Sequence, residues 1–166
     1  MKILGIDPGT ATTGFGLIEK NGSANPKLLD WGCFVTKKEK KSETRLNDLF
    51  IALSRYLRQM KPEIVALERL FLFKNHKTVM SVSEARGVAM LAISRYKIPL
   101  FSYAPLEMKF KLTGSGKATK KEVQETVRKI FHLEKAPKPD DAADAIAIAL
   151  CHLKTKSERQ KAKSDN

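Results

Sequence analysis

Cysteine is scarce in this chain. Cys33 and Cys151 stand far apart, with neither CxxC nor Cys/His ligand spacing. That pattern excludes a disulfide framework and a thiolate metal site, and leaves buried thiols as the expectation. His76, His132 and His152 share no ligand spacing and are expected to be non-catalytic, and Thr113 and Ser115 have no general base nearby in sequence, which disfavours a covalent mechanism. No apolar run approaches the roughly 20 residues of a membrane span, and no amphipathic helix with a basic face stands out. The apolar opening stretch is broken at Asp7, short of the roughly 7–15-residue core of a secretory signal, so a cytoplasmic protein away from membranes is expected. Acidic side chains are in the minority: 18 Asp and Glu against 31 Lys and Arg give a formal net charge of +13. Such a balance repels a basic partner and attracts a polyanion, for which nucleic acid is the natural choice.

A length of 166 residues with 42% hydrophobic and 30% charged side chains suits one globular unit with a sizeable core. Residues 1–154 are expected to form that domain, with residues 155–166 a polar, disordered tail. Residues 3–6 read as a buried strand ending at Asp7, where Pro8, Gly9 and Thr10 force a turn. Residues 15–18 and 28–36 read as two further strands of an antiparallel meander. From Ser42, a plausible N-cap, Leu46, Leu49, Phe50, Leu53 and Leu57 recur at helical spacing. Pro62 ends that helix, and residues 64–67 form a short apolar strand that stops at Glu68. A long helix over about 78–96, a fifth strand at 98–101, a basic loop, a helix over about 119–131 and a final helix from Asp140 complete the reading. Three strands followed by helices alternating with two more predict an α/β fold, a five-stranded mixed sheet covered on both faces.

Four carboxylates then ask for an explanation. Asp141 and Asp144 lie three apart and so share a helix face. Helix capping accounts fully for Asp140, the expected N-cap, and tolerably for Asp141, but Asp144 lies beyond the reach of a cap. Taken alone, the pair is equally compatible with a structural and a functional role. Asp7 and Glu68, each at the end of an apolar strand, tilt the balance, because ligands in sheet-and-helix folds gather beyond strand ends. Converging carboxylates would repel one another unless divalent cations lay among them, and oxygen-only ligands select hard ions such as Mg²⁺ or Mn²⁺. Two such ions about 3.5–4 Å apart can activate water and steady the leaving oxygen in phosphodiester hydrolysis.

Two further groups suit a nucleic-acid substrate. Lys109, Lys111, Lys117, Lys120 and Lys121 surround Gly114-Ser115-Gly116, where they can neutralise phosphates or simply face water. Phe71 and Phe73, with Lys74, Asn75 and Lys77, follow Glu68. Their rings can stack on unpaired bases, or serve as ordinary core or dimer contacts.

Gly5-Ile6-Asp7-Pro8-Gly9-Thr10 with Gly14, Ala66-Leu67-Glu68, Ser83-Glu84-Ala85-Arg86-Gly87-Val88 and Asp141-Ala142-Ala143-Asp144-Ala145-Ile146-Ala147, in this order and spacing, resemble the RuvC-type Holliday-junction resolvases over residues 1–153. The resemblance implies a ribonuclease-H-like fold, a homodimer whose interface includes the helix around Arg86 and Gly87, and Asp7, Glu68, Asp141 and Asp144 as catalytic metal ligands for Mg²⁺. It implies active-site, DNA-contacting roles for Lys109 and Lys120, with Lys121 the rival of Lys120, and a stacking role for Phe71. Paired nicks on strands of like polarity in a four-way DNA junction, leaving 5′-phosphate and 3′-hydroxyl ends, and cooperation with a branch-migration motor are further implications. The competing readings are a nuclease of the same fold acting on RNA, a non-catalytic binding module, and an actin-like or sugar-kinase-like ATP-binding protein. The last explains residues 5–14 only, and the chain is too short for its duplicated domain.

Overall fold

The structure is a computed structural model that describes residues 1–22, 24–69 and 79–164, the stretch 159–164 through its backbone alone. Among the described residues ten elements follow in chain order: β1 (Lys2–Asp7), β2 (Thr12–Glu19), β3 (Lys27–Val35), α1 (Ser42–Met60), β4 (Ile64–Glu68), α2 (Val79–Arg95), β5 (Leu100–Tyr103), α3 (Pro105–Thr113), α4 (Lys120–Ile130) and α5 (Asp140–Ser164). The strands form one sheet in the order β3-β2-β1-β4-β5. β1, β2 and β3 pair antiparallel, whereas β4 runs parallel to both β1 and β5. The five-stranded mixed sheet expected from the sequence is the one observed.

Strand periodicity divides the core in two, because successive side chains leave opposite faces. Leu4, Ile6, Leu17, Val65 and Leu67 pack with Leu53 and Leu57 of α1 and with Ala89, Ala92 and Ile93 of α2. Ile3, Ile18, Ile64 and Ala66 pack on the other face with α3, α4 and the α5 residues Ile146 to Leu153. The face of Ile3 on β1 is therefore also that of Gly5 and Asp7, and the face of Ile64 and Ala66 on β4 is that of Glu68. Both strand-end carboxylates point to the side where α5 lies.

Helix α5 sits unusually close to that face. A methyl group added at Gly5 would fall 1.9 Å from the Ala145 carbonyl oxygen, and one at Gly14 would fall 2.1 Å from that of Asp141. Ala142, Ala143, Ala145 and Ala147 are fully buried along the contact. Small side chains on both partners allow backbone to approach backbone.

Several local expectations are corrected. The N-cap of α1 is Lys41, and Ser42 is the first helical residue. Asp140 is likewise inside the first turn of α5 rather than its cap, since the Pro139 carbonyl accepts from the Ala142 and Ala143 amides. The fifth strand begins at Leu100, beyond Pro99, which has no amide hydrogen to give a ladder. The stretch expected as a basic loop holds α3, opened by Pro105 in its first turn, closed by Gly114 at φ 82° and anchored by buried Met108 and Leu112 four residues apart. Helix α5 itself continues to Ser164, through residues whose composition reads as a tail. Once its buried first half is nucleated, each added turn costs little.

Candidate active site

Three elements deliver the acidic residues. Asp7 closes β1 and Glu68 closes β4, on neighbouring parallel strands that end together. The turn after Asp7 is braced by buried Thr13, whose hydroxyl donates to the Gly9 carbonyl at 2.7 Å. Arg86 of α2 fixes the end of β4: its Nε donates to the Glu68 carbonyl at 3.2 Å and its Nη2 to the Ser102 hydroxyl at 3.1 Å. Asp141 and Asp144 arrive on the first turns of α5, held against Gly14 by the close approach described above.

Asp7, Asp141 and Asp144 each bring a carboxylate oxygen within 4.8 Å of the other two. Glu68 joins them through a hydrogen bond with Asp7. Burial pushes the Asp7 carboxyl up to about 9, and the negative charges of Glu68, Asp144 and Asp141 push the same way. Glu68 is raised mainly by burial, with its Asp7 hydrogen bond opposing. Asp144 is raised by burial too, against the pull of Lys120. Without a cation, then, the cluster retains a proton that an exposed carboxylate would have lost. A set of hard oxygen donors short of positive charge is the chemistry that fits a divalent metal ion.

Positive charge comes from α4. The Lys120 ammonium lies 2.9 Å from Asp144 and 3.8 Å from Asp140. Burial alone would lower its pKa, but the hydrogen bond and charge of Asp144, together with the charges of Asp140 and Asp141, raise it. Thr119 and Glu122 form a capping box that makes Lys120 the first residue of α4 and turns it toward α5. Lys121 lines a separate open cavity with Leu112, Thr113 and Glu125, so of the two rivals it is Lys120 that meets the acidic cluster. Asp140, exposed and paired with Lys138 at 2.6 Å, has its pKa lowered instead.

The remaining basic residues spread out. Lys109 lies near Glu122, whose pKa it helps to lower, and Lys117 is exposed in the α3–α4 connection. Lys111 is drawn to Glu158, far down α5 from the carboxylates. Phe71, Phe73, Lys74, Asn75 and Lys77 lie outside the described residues. Of the histidines, His152 is buried away from the acids, its Nδ1 2.8 Å from the Tyr103 hydroxyl.

One neighbour escaped the sequence reading. Cys33 pairs with Gly14 across the β2–β3 ladder and lies beside Ala142 at the start of α5. Burial, then Asp141 and Asp7, raises its thiol to about 11, so it stays protonated beside the cluster. Only strand register reveals this, because Cys33 is distant in sequence from all four acids.

The family model described as crossover junction endodeoxyribonuclease RuvC matches residues 3–152. Crossover junction endodeoxyribonuclease RuvC of Fusobacterium nucleatum is 45% identical over 153 residues, which make up 92% of this chain and 80% of that protein. Among solved structures, RuvC of Thermus thermophilus superimposes with a TM-score of 0.87 at 32% identity, covering 95% of this chain and 96% of the other. The same organism's RuvC in complex with a Holliday junction substrate gives 0.85 at 29% identity, with 95% and 96% covered.

Proposed function

The chain belongs to the RuvC family of crossover junction endodeoxyribonucleases, and from that premise we propose a Holliday-junction resolvase that hydrolyses DNA phosphodiesters at the Asp7, Glu68, Asp141 and Asp144 cluster. The observation that carries the assignment to this site is the convergence of carboxylates from β1, β4 and α5 into one cluster on a strongly basic protein. The match extends over residues 3–152, well beyond the first turn that kinase-like proteins share, so the ATP-binding reading is not favoured.

Asp7, Asp141 and Asp144, with Glu68 beside them, would hold Mg²⁺, two ions per subunit, and Mn²⁺ is expected to substitute because the donors are all oxygens. Bound there, the metal supplies an activated water and compensation for the negative charge on the attacked phosphate and the leaving 3′ oxygen. The protein's own contribution is positioning. The strand ends and α5 keep the carboxylates in register, Lys120 offsets the charge on Asp144, and Lys109 and Lys117 offer phosphate contacts on the same side. Lys111 and Lys121 would meet backbone farther from the cut, and Phe71, Phe73, Lys74, Asn75 and Lys77 would meet bases at the junction centre. A homodimer suits the two-fold substrate: two pockets cut two strands of like polarity and leave 5′-phosphate and 3′-hydroxyl ends. Cooperation with a branch-migration motor, in the cytoplasm, fits such a role. No helix among the described residues is long and apolar enough to cross a membrane.

The test incubates the purified chain with a labelled mobile four-way DNA junction, a linear duplex, an RNA–DNA hybrid and ATP, each with Mg²⁺ or EDTA. Symmetric, Mg²⁺-dependent nicking of the junction is expected. Cleavage of the hybrid in preference to the junction, ATP hydrolysis without nicking, or tight junction binding without cleavage would each overturn the proposal.

A further inference from the structure

A basic flank that the mechanism above leaves unused lies across the sheet from Lys120. The acidic cluster opens at the strand ends, with α3, α4 and α5 on one face and α1 and α2 on the other. On the α1/α2 face, residues 9–12, Arg45 and the start of α2 at Ser81 and Val82 line an open cavity of about 310 Å³. It begins two residues beyond Asp7.

Arg45 is fixed in its wall. Its Nε donates to the Thr36 hydroxyl at 3.0 Å, and that hydroxyl, buried, donates to the Thr10 carbonyl at 2.6 Å. The Thr10 side chain in turn donates to the Ser81 carbonyl at 2.9 Å, so the turn after Asp7 is tied to α1 and α2 together. Bonding through Nε leaves the two terminal guanidinium nitrogens, Nη1 and Nη2, with no hydrogen-bond or carboxylate partner among the described residues. Next to Arg45, the β3–α1 loop carries Lys37, Lys38, Lys40 and Lys41, all exposed. Lys40 pairs with Asp48 at 2.5 Å; the other three pair with no carboxylate among the described residues.

A DNA strand cannot end at the acidic cluster. Its backbone must continue past the cluster in both directions, and the cluster's own charge repels every phosphate near it until cations intervene. On one side Lys120 and Lys109 serve that need. On the other the protein presents a half-buried guanidinium, held by Nε, whose free edge can take a phosphate in a forked pair of hydrogen bonds, and, beyond it, three lysines with no carboxylate partner among the described residues. We infer that Arg45, with Lys37, Lys38 and Lys41, binds the DNA backbone on the α1/α2 side of the active site, and that the cavity at residues 9–12 receives the phosphate next to the scissile one. The inference rests on the resolvase reading.

Binding of a labelled four-way junction to the full-length protein in EDTA, followed by anisotropy from about 50 to about 250 mM KCl, tests it. Arg45→Gln should raise Kd roughly tenfold, the loss of a charge-assisted contact, and should flatten the plot of log Kd against log salt by about one unit. Arg45→Lys, which keeps the charge, should keep the slope. Thr36→Val, which removes the hydroxyl that braces Arg45 and ties it to the Thr10 carbonyl but removes no charge, should also keep it. Joint replacement of Lys37, Lys38 and Lys41 by serine should flatten the slope by about two units or more. An Arg45→Gln protein with the wild-type slope overturns the inference whatever its affinity, since weaker binding at constant slope marks a purely structural role for Arg45. A wild-type chain that does not bind the junction would instead bring down the resolvase reading, an outcome visible before any variant is made.

Discussion

The two faces of the sheet are built by different means. On the α1/α2 side, bulky side chains keep helix and sheet apart: Leu4, Ile6 and Leu17 meet Leu53 and Leu57, and Phe15, Phe34 and Tyr56 pack with ring centroids 4.7–5.7 Å apart. On the α5 side, glycine meets alanine and the backbones nearly touch. Large side chains can repack around a defect, whereas a backbone contact leaves no slack. The rigid face is the one that carries all four carboxylates, and the adaptable face carries none. Precision has been placed where the proposed site would hold a metal and a phosphate.

The comparison can be broken in four ways, in decreasing order of expected effect. Asp7→Asn removes the carboxylate at the centre of the cluster and should slow junction cleavage by roughly a thousandfold or more, equivalent to at least about 4 kcal/mol of barrier, while leaving junction affinity near wild type. Initial rates and anisotropy on the same preparation check this, and cleavage at the wild-type rate would remove Asp7 from the site.

Gly14→Ala and Leu53→Ala contrast the two faces directly. Leu53→Ala should cost about 2–5 kcal/mol in urea denaturation, yet leave the cleavage rate per folded molecule within about twofold. Gly14→Ala should cost a similar amount, about 3 kcal/mol, because its methyl group meets the Asp141 carbonyl, and in addition should lower the rate per folded molecule by about tenfold or more through displacement of α5. Equal rate losses for both variants would show that the faces are not functionally distinct.

The third is a pH dependence. Asp7 has an ordinary value of 3.8 and is raised to about 9 in the metal-free fold. Below about pH 4 it is protonated in folded and unfolded chains alike. As pH climbs from there toward 9, the unfolded chain gives up the proton and the folded chain keeps it, so metal-free stability should fall across that window. Asp7→Asn should flatten the fall and be more stable than wild type at pH 8 in EDTA by more than about 1 kcal/mol. Mg²⁺ should raise the Tm of the wild type more than that of the variant. A metal-free stability that rises between pH 5 and 8 in wild type and variant alike would contradict the burial of this carboxyl.

The smallest effect belongs to the capping box. Thr119→Ala should cost about 1 kcal/mol by thermal unfolding, and by loosening the first turn of α4 it should weaken the hold of Lys120 on Asp144. A variant as stable as wild type would mean that α3 and α5, not the cap, set the start of α4.

Much of this was legible in the chain itself. Asp7 and Glu68 announce themselves as charges that end apolar strands; that both leave the same face of the sheet follows only from the parallel register of β1 and β4. The helix α3 was hidden because its two core residues, Met108 and Leu112, are surrounded by lysines that read as a solvated loop. The long C-terminal course of α5 was hidden for another reason: helix propagation from a buried segment needs no apolar stripe of its own. Cys33 beside Asp141 was invisible because register, and not sequence distance, makes them neighbours.

What the sequence determined alone was the inventory: two strand-end acids, two acids one helical turn apart, a surplus of lysine, and small residues where close packing was required. Only the tertiary structure decided that these acids cluster, that Lys120 and not Lys121 faces them, and that burial raises the Asp7 carboxyl there. Each of those depends on how near two separate elements come, and the separation of α5 from the sheet is a property of neither element by itself.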